Sequence, residues 1–593
     1  MISLDQLRNL KLSELTDEAR SWSAVSNRSC ASRDRVTDEI APGLTMTQVG
    51  DASFWAIAAL GRLSNNYQYI YTECGLIAAA LTGLAEELAP LQRNLLNALQ
   101  DAKQAGFEVY DDGSVRYPET GSGDTQVQGG TAAGKTDFLG QALGNAVAMT
   151  SGNRNAVVAQ EIADTIASAL SQATEIDEQY AKAIRRLKAA EGLDVTESTW
   201  ADVSGDTAAV HGAADDVLKD DIPTDRSPAE RKDWWNGLSK EERTEYLAVY
   251  PDVIGNLDGI PAVSRDEANR LYLPQLMGKL EAQGDEASMT KLDGLRGIED
   301  QLRAGGQPPM LLLGVGEQGN GRAIVSFGNP DTSKNVSAYV PGLGTKLDGG
   351  FADGTVKRAR DTAVGAREID PSSASIVWLG YDAPQGADVA GTGDAQRGAP
   401  AYQSFMSALA TTNENADPHL TAIGHSYGSL TVGTASQQPG GMPDVDDYIL
   451  LGSPGVGVDH AEDLGVGKQH VFVGAAENDL VSKAPSKGSV AGGVIGGAGG
   501  FLLGGPGGAV VGAGAGAELG DLGDDDNWFG KDPASEAFGA TRFRTEDGPN
   551  AFTQWTLEAH SNYFNPEKDQ MSADSIANIV AGNPGGITPE ARR

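Results

Sequence analysis

"HLTAIGHSYGSLTVG", residues 419 to 433, decides how the rest of the chain is read. It contains Gly424-His425-Ser426-Tyr427-Gly428, the G-x-S-x-G pattern of a turn that exposes a nucleophilic serine. With 76 glycines among 593 residues the pattern alone settles little, so its surroundings must decide. An apolar run, "LTAIG", precedes the serine, and a helix-like stretch, "YGSLTVGTASQQ", follows it. That is the strand-turn-helix setting a nucleophile elbow requires. So tight a turn needs small flanking residues, because a side chain there would strike the neighbouring strand or helix. Gly424 and Gly428 supply them.

A serine hydroxyl is a poor nucleophile unless a base takes its proton, and a third group must orient that base. In a strand-turn-helix setting the chain order is serine, acid, histidine. Six histidines are present, which permits elimination. His211, His419 and His425 precede Ser426, while His460 and His470 come before any well-placed acid. His560, in "LEAHSNYF", remains as the base. The acid is expected just past a strand end, and "HVFVGAAENDLVS" offers Asp479, with Glu477 as second choice. Asp459 and Asp463 are less well placed. The oxyanion needs two N–H donors. Tyr427, directly after the serine, supplies one, and Leu343 or Gly344 in "AYVPGLGTKLDGG" the other; Pro341 has no N–H.

Around this segment run short apolar stretches bounded by Gly, Pro and Asp. They are "MLLLGVG", "RAIVSFG", "VSAYVPGLG", "ASIVWLGYD", "HLTAIGHS", "DYILLGSPG", "QHVFVGAAEND" and "ATRFRTE". Helix-length segments separate several of them, which predicts an α/β fold: a mainly parallel sheet with helices on both faces. The first two stretches, close together, suit an antiparallel edge pair. The string "WW…IGNLDGIPAVSRDEANR", "VPGLGT", "GHSYGS", "LGSPG", "AAENDLV" and "FGATRF…HSNYF", over about residues 231 to 565, resembles the bacterial α/β-hydrolase family catalogued as domain of unknown function 1023. The resemblance implies the α/β-hydrolase fold and a Ser-Asp-His apparatus with neither cofactor nor metal. It implies no particular substrate.

The organisation expected from composition is a helical hairpin over 1–118, a linker over 119–136, a helical segment over 137–200 and a second linker over 201–230. A helical segment over 231–305 then precedes the α/β-hydrolase domain at 306–580. Ile77, Leu81, Leu84, Leu88, Leu91, Leu95 and Leu99 form one helical stripe, which Pro90 is expected to kink. Ile162, Ile166, Leu170, Ala173, Ile176, Tyr180, Ile184 and Leu187 form another. The first part resembles the Trp-x-Gly helical hairpins handled by type VII secretion systems, although Trp55 is followed by Ala56 and Ile57, and a Tyr69…Glu73 spacing adds an export-like pattern. That resemblance implies a helical partner or secretion machinery. Cys30 and Cys74 read as core thiols, and Trp234 and Trp235 as packing anchors.

Acidic residues outnumber basic ones, 82 against 45, for a net charge of −37, which argues against nucleic-acid partners. The N-terminus lacks the cationic start and apolar stretch of a secretory signal. A cytoplasmic location, or export by a route without such a signal, is therefore expected. Residues 488–520 are glycine-rich and uncharged up to Ala517, with glycine at every fourth position, and predict an apolar hairpin packed on protein, membrane or acyl substrate. The acidic "DLGDDDNW" from residue 521 reads as a solvated loop. The function expected is that of a serine hydrolase, esterase- or lipase-like, acting on an ester or acyl substrate. The alternative is an interaction protein, or a secretion-linked effector, that keeps the fold as a scaffold.

Overall fold

The structure, a computed structural model, describes residues 2–47, 50–122, 124, 126–189, 193–214, 219–483, 526–550 and 558–593. The apolar insertion expected over 488–520, and the acidic run up to residue 525, lie outside the described residues. The chain divides into two compact units. A helical unit comprises Met1–Ile222 and Lys240–Val249, and an α/β unit comprises Pro223–Ser239 and Tyr250–Arg593.

Each of the eight apolar stretches forms a strand of one sheet in the α/β unit: β1 (Met310–Gly316), β2 (Arg322–Phe327), β3 (Asn335–Val340), β4 (Ser373–Leu379), β5 (His419–His425), β6 (Asp447–Leu451), β7 (Val471–Gly474) and β8 (Thr541–Phe543). Their spatial order is β8-β7-β6-β5-β3-β4-β2-β1. The β1–β2 edge pair is antiparallel, as the sequence suggests, and β2 is also antiparallel to β4. All other neighbours are parallel.

Strand side chains alternate between the two faces of the sheet, and each face has its own core. Val336, Ala338, Ile376, Trp378, Leu420 and Leu450 join one apolar cluster with Tyr402, Phe405 and Leu430 of helices Gly393–Thr412 and Tyr427–Ser436. Tyr339, Val377, Ile423 and Leu451 join the other, with Leu276, Leu295, Ala363 and Ile576 from the helices of the opposite face. Burial on both faces explains why these strands read as continuous apolar runs. The parallel strands β3, β5, β6 and β7 end side by side, and the loops after them converge along one edge of the sheet, where open α/β sheets bind ligands.

In the helical unit, helices Leu12–Asp34, Asp51–Ala105, Arg154–Ile184 and Glu197–Ala214 bury Leu84, Leu88, Leu91, Leu95, Ile162, Ile166, Ala173 and Tyr180 from the two stripes. Helix Asp51–Ala105 continues through Pro90, which lies exposed on it. Cys30 and Cys74 are buried thiols, and Tyr69 and Glu73 are buried as well.

Three expectations about organisation are corrected. The linker placed at 201–230 is largely helix, because Trp200, Val203 and Val210 give Glu197–Ala214 a buried face despite its small, polar composition. The linker placed at 119–136 contains strand Gly130–Ala132, which pairs with Val115–Tyr117. Asn153 Nδ2 also donates to the Pro118 and Gln128 carbonyls and pins that segment. Finally, Lys240–Val249 belongs to the helical unit, not with the rest of 231–305. Its Thr244 carbonyl accepts the Tyr71 hydroxyl, and its Val249 carbonyl lies 2.6 Å from His211 Nε2.

Candidate active site

β5 ends at His425, and helix Tyr427–Ser436 begins two residues later, so Ser426 alone makes the turn. Its φ is 58°, the one positive value among the described non-glycine residues. Such strain persists where the surroundings over-determine it and is enriched at functional sites. Here they do. The Ser426 N–H donates to the Leu451 carbonyl at the end of β6, and the Ser426 carbonyl accepts the Ser429 N–H. A Cβ on Gly424 would lie 2.5 Å from Ser429 Cα, and one on Gly428 would lie 2.1 Å from the Val340 carbonyl oxygen. Both flanking glycines are therefore required by close backbone approach.

The loop after β3 arches over this turn. A Cβ on Gly342 would lie 2.8 Å from Tyr427 N and 2.9 Å from Ser426 Cβ. Two hydrogen bonds fix the loop: Tyr381 Oη donates to the Pro341 carbonyl, and Gly344 N–H donates to the Pro384 carbonyl. The second bond corrects an expectation. With its N–H committed to Pro384, Gly344 is no oxyanion donor, and Leu343 remains as the candidate in this loop. Among the described residues no protein acceptor takes the Leu343 N–H, nor that of Tyr427 at the first position of its helix. The Tyr427 side chain serves packing, with Oη donating to the Gly391 carbonyl.

Asp479 lies past the end of β7, and His560 sits in the four-residue helix Glu558–Ser561. The structure brings them together: His560 Nδ1 is 3.0 Å from both Asp479 carboxylate oxygens. The carboxylate side chain is fully buried and also accepts the Tyr563 hydroxyl at 2.6 Å and the Val481 N–H at 2.9 Å. Burial by itself would raise this carboxyl. The His560 charge and hydrogen bond, then Tyr563 and Val481, outweigh it and hold the group down at about 2. Asp479 is ionised at any ordinary pH. Glu477, the second choice, pairs instead with Lys483 on the surface.

Because Nδ1 faces Asp479, the Nε2 of His560 is the nitrogen left for a serine proton. The serine and the Asp–His pair meet at consecutive residues of one strand end. Leu451 holds the Ser426 N–H, and a Cβ on Gly452, whose φ is 51°, would stand 2.6 Å from Asp479 Oδ2 and 2.7 Å from His560 Nδ1. The His425 ring, next to Ser426 in the chain, lies 4.6 Å from the His560 ring.

Sequence reasoning alone does not assign Gly452 or Tyr563 any task. The signals were within quoted motifs, in "LGSPG" and in "HSNYF", where Tyr563 stands one helical turn past His560. His419 and His470, set aside by elimination, both face the buried Asp447 carboxylate at 2.8 Å.

An eight-stranded, mainly parallel sheet with a strained serine at the end of its fifth strand defines the α/β-hydrolase class. The family model described as alpha/beta hydrolase matches residues 317–489. An uncharacterized protein of Mycobacterium bovis is 37% identical over 201 residues, covering 32% of this chain and 74% of that protein. An uncharacterized protein of Mycobacterium tuberculosis is 28% identical over 397 residues, 59% of this chain and 55% of that protein. The chain belongs to the alpha/beta hydrolase family. It spans about half the length of the longer curated relatives it matches.

Proposed function

We propose that the protein is a serine hydrolase that cleaves an ester or related acyl substrate through Ser426, His560 and Asp479. The observation that carries this reading is the positive φ of Ser426 at a strand end adjoining the Asp479–His560 pair. As Ser426 Oγ attacks the acyl carbon, its proton passes to His560 Nε2, and the imidazolium is balanced by Asp479. The carbonyl oxygen becomes an oxyanion facing the N–H groups of Tyr427 and Leu343. Collapse breaks the bond to the leaving group, which takes the proton from Nε2. Water then attacks the acyl-serine, its proton goes to His560 and back to Ser426, and the acid product leaves.

The test is labelling of the full chain by a fluorophosphonate probe, alongside hydrolysis of p-nitrophenyl esters of increasing acyl length. Ser426→Ala should abolish labelling and turnover while the circular dichroism spectrum stays unchanged. Labelling that persists in that variant would refute the assignment. The ester series reports the acyl length preferred.

A further inference from the structure

His425 is buried, 5% exposed, and has no part in the chemistry written above. Two of its contacts are nevertheless directed at the base. Nε2 lies 2.6 Å from the backbone carbonyl oxygen of His560. A carbonyl can only accept, so Nε2 carries the proton and Nδ1 presents a lone pair. Arg358 Nη1 faces that lone pair at 3.5 Å and is itself anchored on the Tyr339 hydroxyl at 2.7 Å, with its guanidinium over the Phe564 ring. The His425 ring is tilted by 30° against the His560 ring, 4.6 Å away between centroids. Tyr339, Tyr563 and Phe564 complete its surroundings.

Two physical needs meet here. His560 sits in a helix of only four residues, too short to be a rigid support by itself. The same imidazole becomes positive when it takes the serine proton, so a second cation stacked on it would oppose that step. The groups facing His425 that bear on its charge are Arg358, His560 and the more distant Asp479. Burial first, then the His560 and Arg358 charges, keep His425 well below the usual histidine range.

We propose that His425 is a positioning residue for the base: its Nε2–H clamps the His560 carbonyl, and its ring, held in one tautomer by Arg358 opposite Nδ1, backs the imidazole that receives the Ser426 proton. This rests on the reading of Ser426, His560 and Asp479 as the reacting set. It gives the residue between Gly424 and Ser426 a task in catalysis, where the elbow geometry alone requires none of it.

The experiment uses the full chain and p-nitrophenyl esters. His425→Phe keeps a ring and removes the donor; His425→Gln keeps an amide donor and removes the ring. His425→Phe should lower kcat roughly ten- to a hundredfold with KM nearly unchanged, the loss expected for one buried donor left out. His425→Gln should recover most of that loss. A role in packing alone predicts the reverse order, and that order would overturn the proposal, as would wild-type kcat in His425→Phe. Arg358→Met provides a test that does not depend on how His425→Phe folds. Without the guanidinium opposite Nδ1 the ring is free to take its other tautomer and release the His560 carbonyl, so Arg358→Met should lower kcat severalfold with KM nearly unchanged. Wild-type kcat in Arg358→Met would contradict the role given to Arg358. Failure of the underlying reading is distinguishable, because Ser426→Ala would then keep turnover, and the clamp would fall with it.

Discussion

At Gly83, on the long helix of the helical unit, an added Cβ would meet the Tyr180 hydroxyl; at Gly452, in the α/β unit, it would meet the Asp479 carboxylate and the His560 ring. Both positions are crowded, but what crowds them differs. In the helical unit the neighbours are packing side chains, Tyr180 against Gly83 and the Ala248 methyl against Gly75, so a lesion there costs stability. Around Ser426 and Gly452 the neighbours are backbone atoms and the groups proposed to react. On the proposed function, a lesion there is expected to change the rate more than the stability. The same residue type thus marks packing in one unit and the proposed reaction centre in the other.

The sharpest attempt to break this contrast is His560→Ala. It should lower kcat on a model ester by about four orders of magnitude, as loss of a triad base does, with the unfolding midpoint little changed. A loss of less than tenfold would remove the contrast altogether. Gly452→Ala comes next. Its methyl group must push the Asp–His pair aside, and a displacement near 1 Å costs on the order of a hundredfold in rate. Steady-state kinetics of that variant, compared with the melting temperature of Gly83→Ala, set rate against stability. Tyr563→Phe should have a smaller effect. It removes the hydroxyl that donates to Asp479 and accepts the Ala476 N–H, and kcat should fall about tenfold.

The smallest effect separates the two units by pH. Burial, then the charges of Asp206 and Asp202, raise Glu73 from 4.5 to about 8, and among the described residues its buried Oε1 has no hydrogen-bond partner. Burial, then Asp202, raise Asp206 to about 6 against the pull of Arg186. Carboxyls raised in this way favour the folded state fully below their ordinary values, and the advantage is lost as pH rises through about 8 for Glu73. Asp479 has the opposite sign: its contribution is present above 3.8 and is lost as pH falls through about 2. Amide exchange in helix Asp51–Ala105 should therefore quicken between pH 6 and 8.5 beyond the intrinsic rate change, and Glu73→Gln should remove that excess. Equal excess in both proteins would show that Glu73 is not the group responsible.

How much of this is legible in the sequence depends on where the constraint resides. The eight strands are legible because burial on both faces leaves each as an apolar run between turn residues. Ser426, Asp479 and His560 could be selected by order along the chain and position after a strand. Whether Leu343 or Gly344 offers a free N–H could not, because the answer lies in the Pro384 carbonyl, on a loop with no sequence signal for it. Gly452 reads as one more turn glycine until the groups that would collide with its missing side chain are placed. Helix Glu197–Ala214 was hidden by its composition. Among Ala, Gly, Ser and Asp, only Trp200, Val203 and Val210 supply large apolar anchors.

The assignment of Lys240–Val249 to the helical unit has a consequence for biosynthesis. Chains fold from the N-terminus as they leave the ribosome, yet the last piece of this unit follows a stretch, Pro223–Ser239, that belongs to the other. On the nascent chain, Tyr71 and His211 must wait, on the order of seconds, for Thr244 and Val249 to emerge. During that interval the surface around Gly75 that later receives Ala248 is uncovered. The helical unit is thus completed only after synthesis of its partner has begun, which ties the birth of the two units together although their cores are separate.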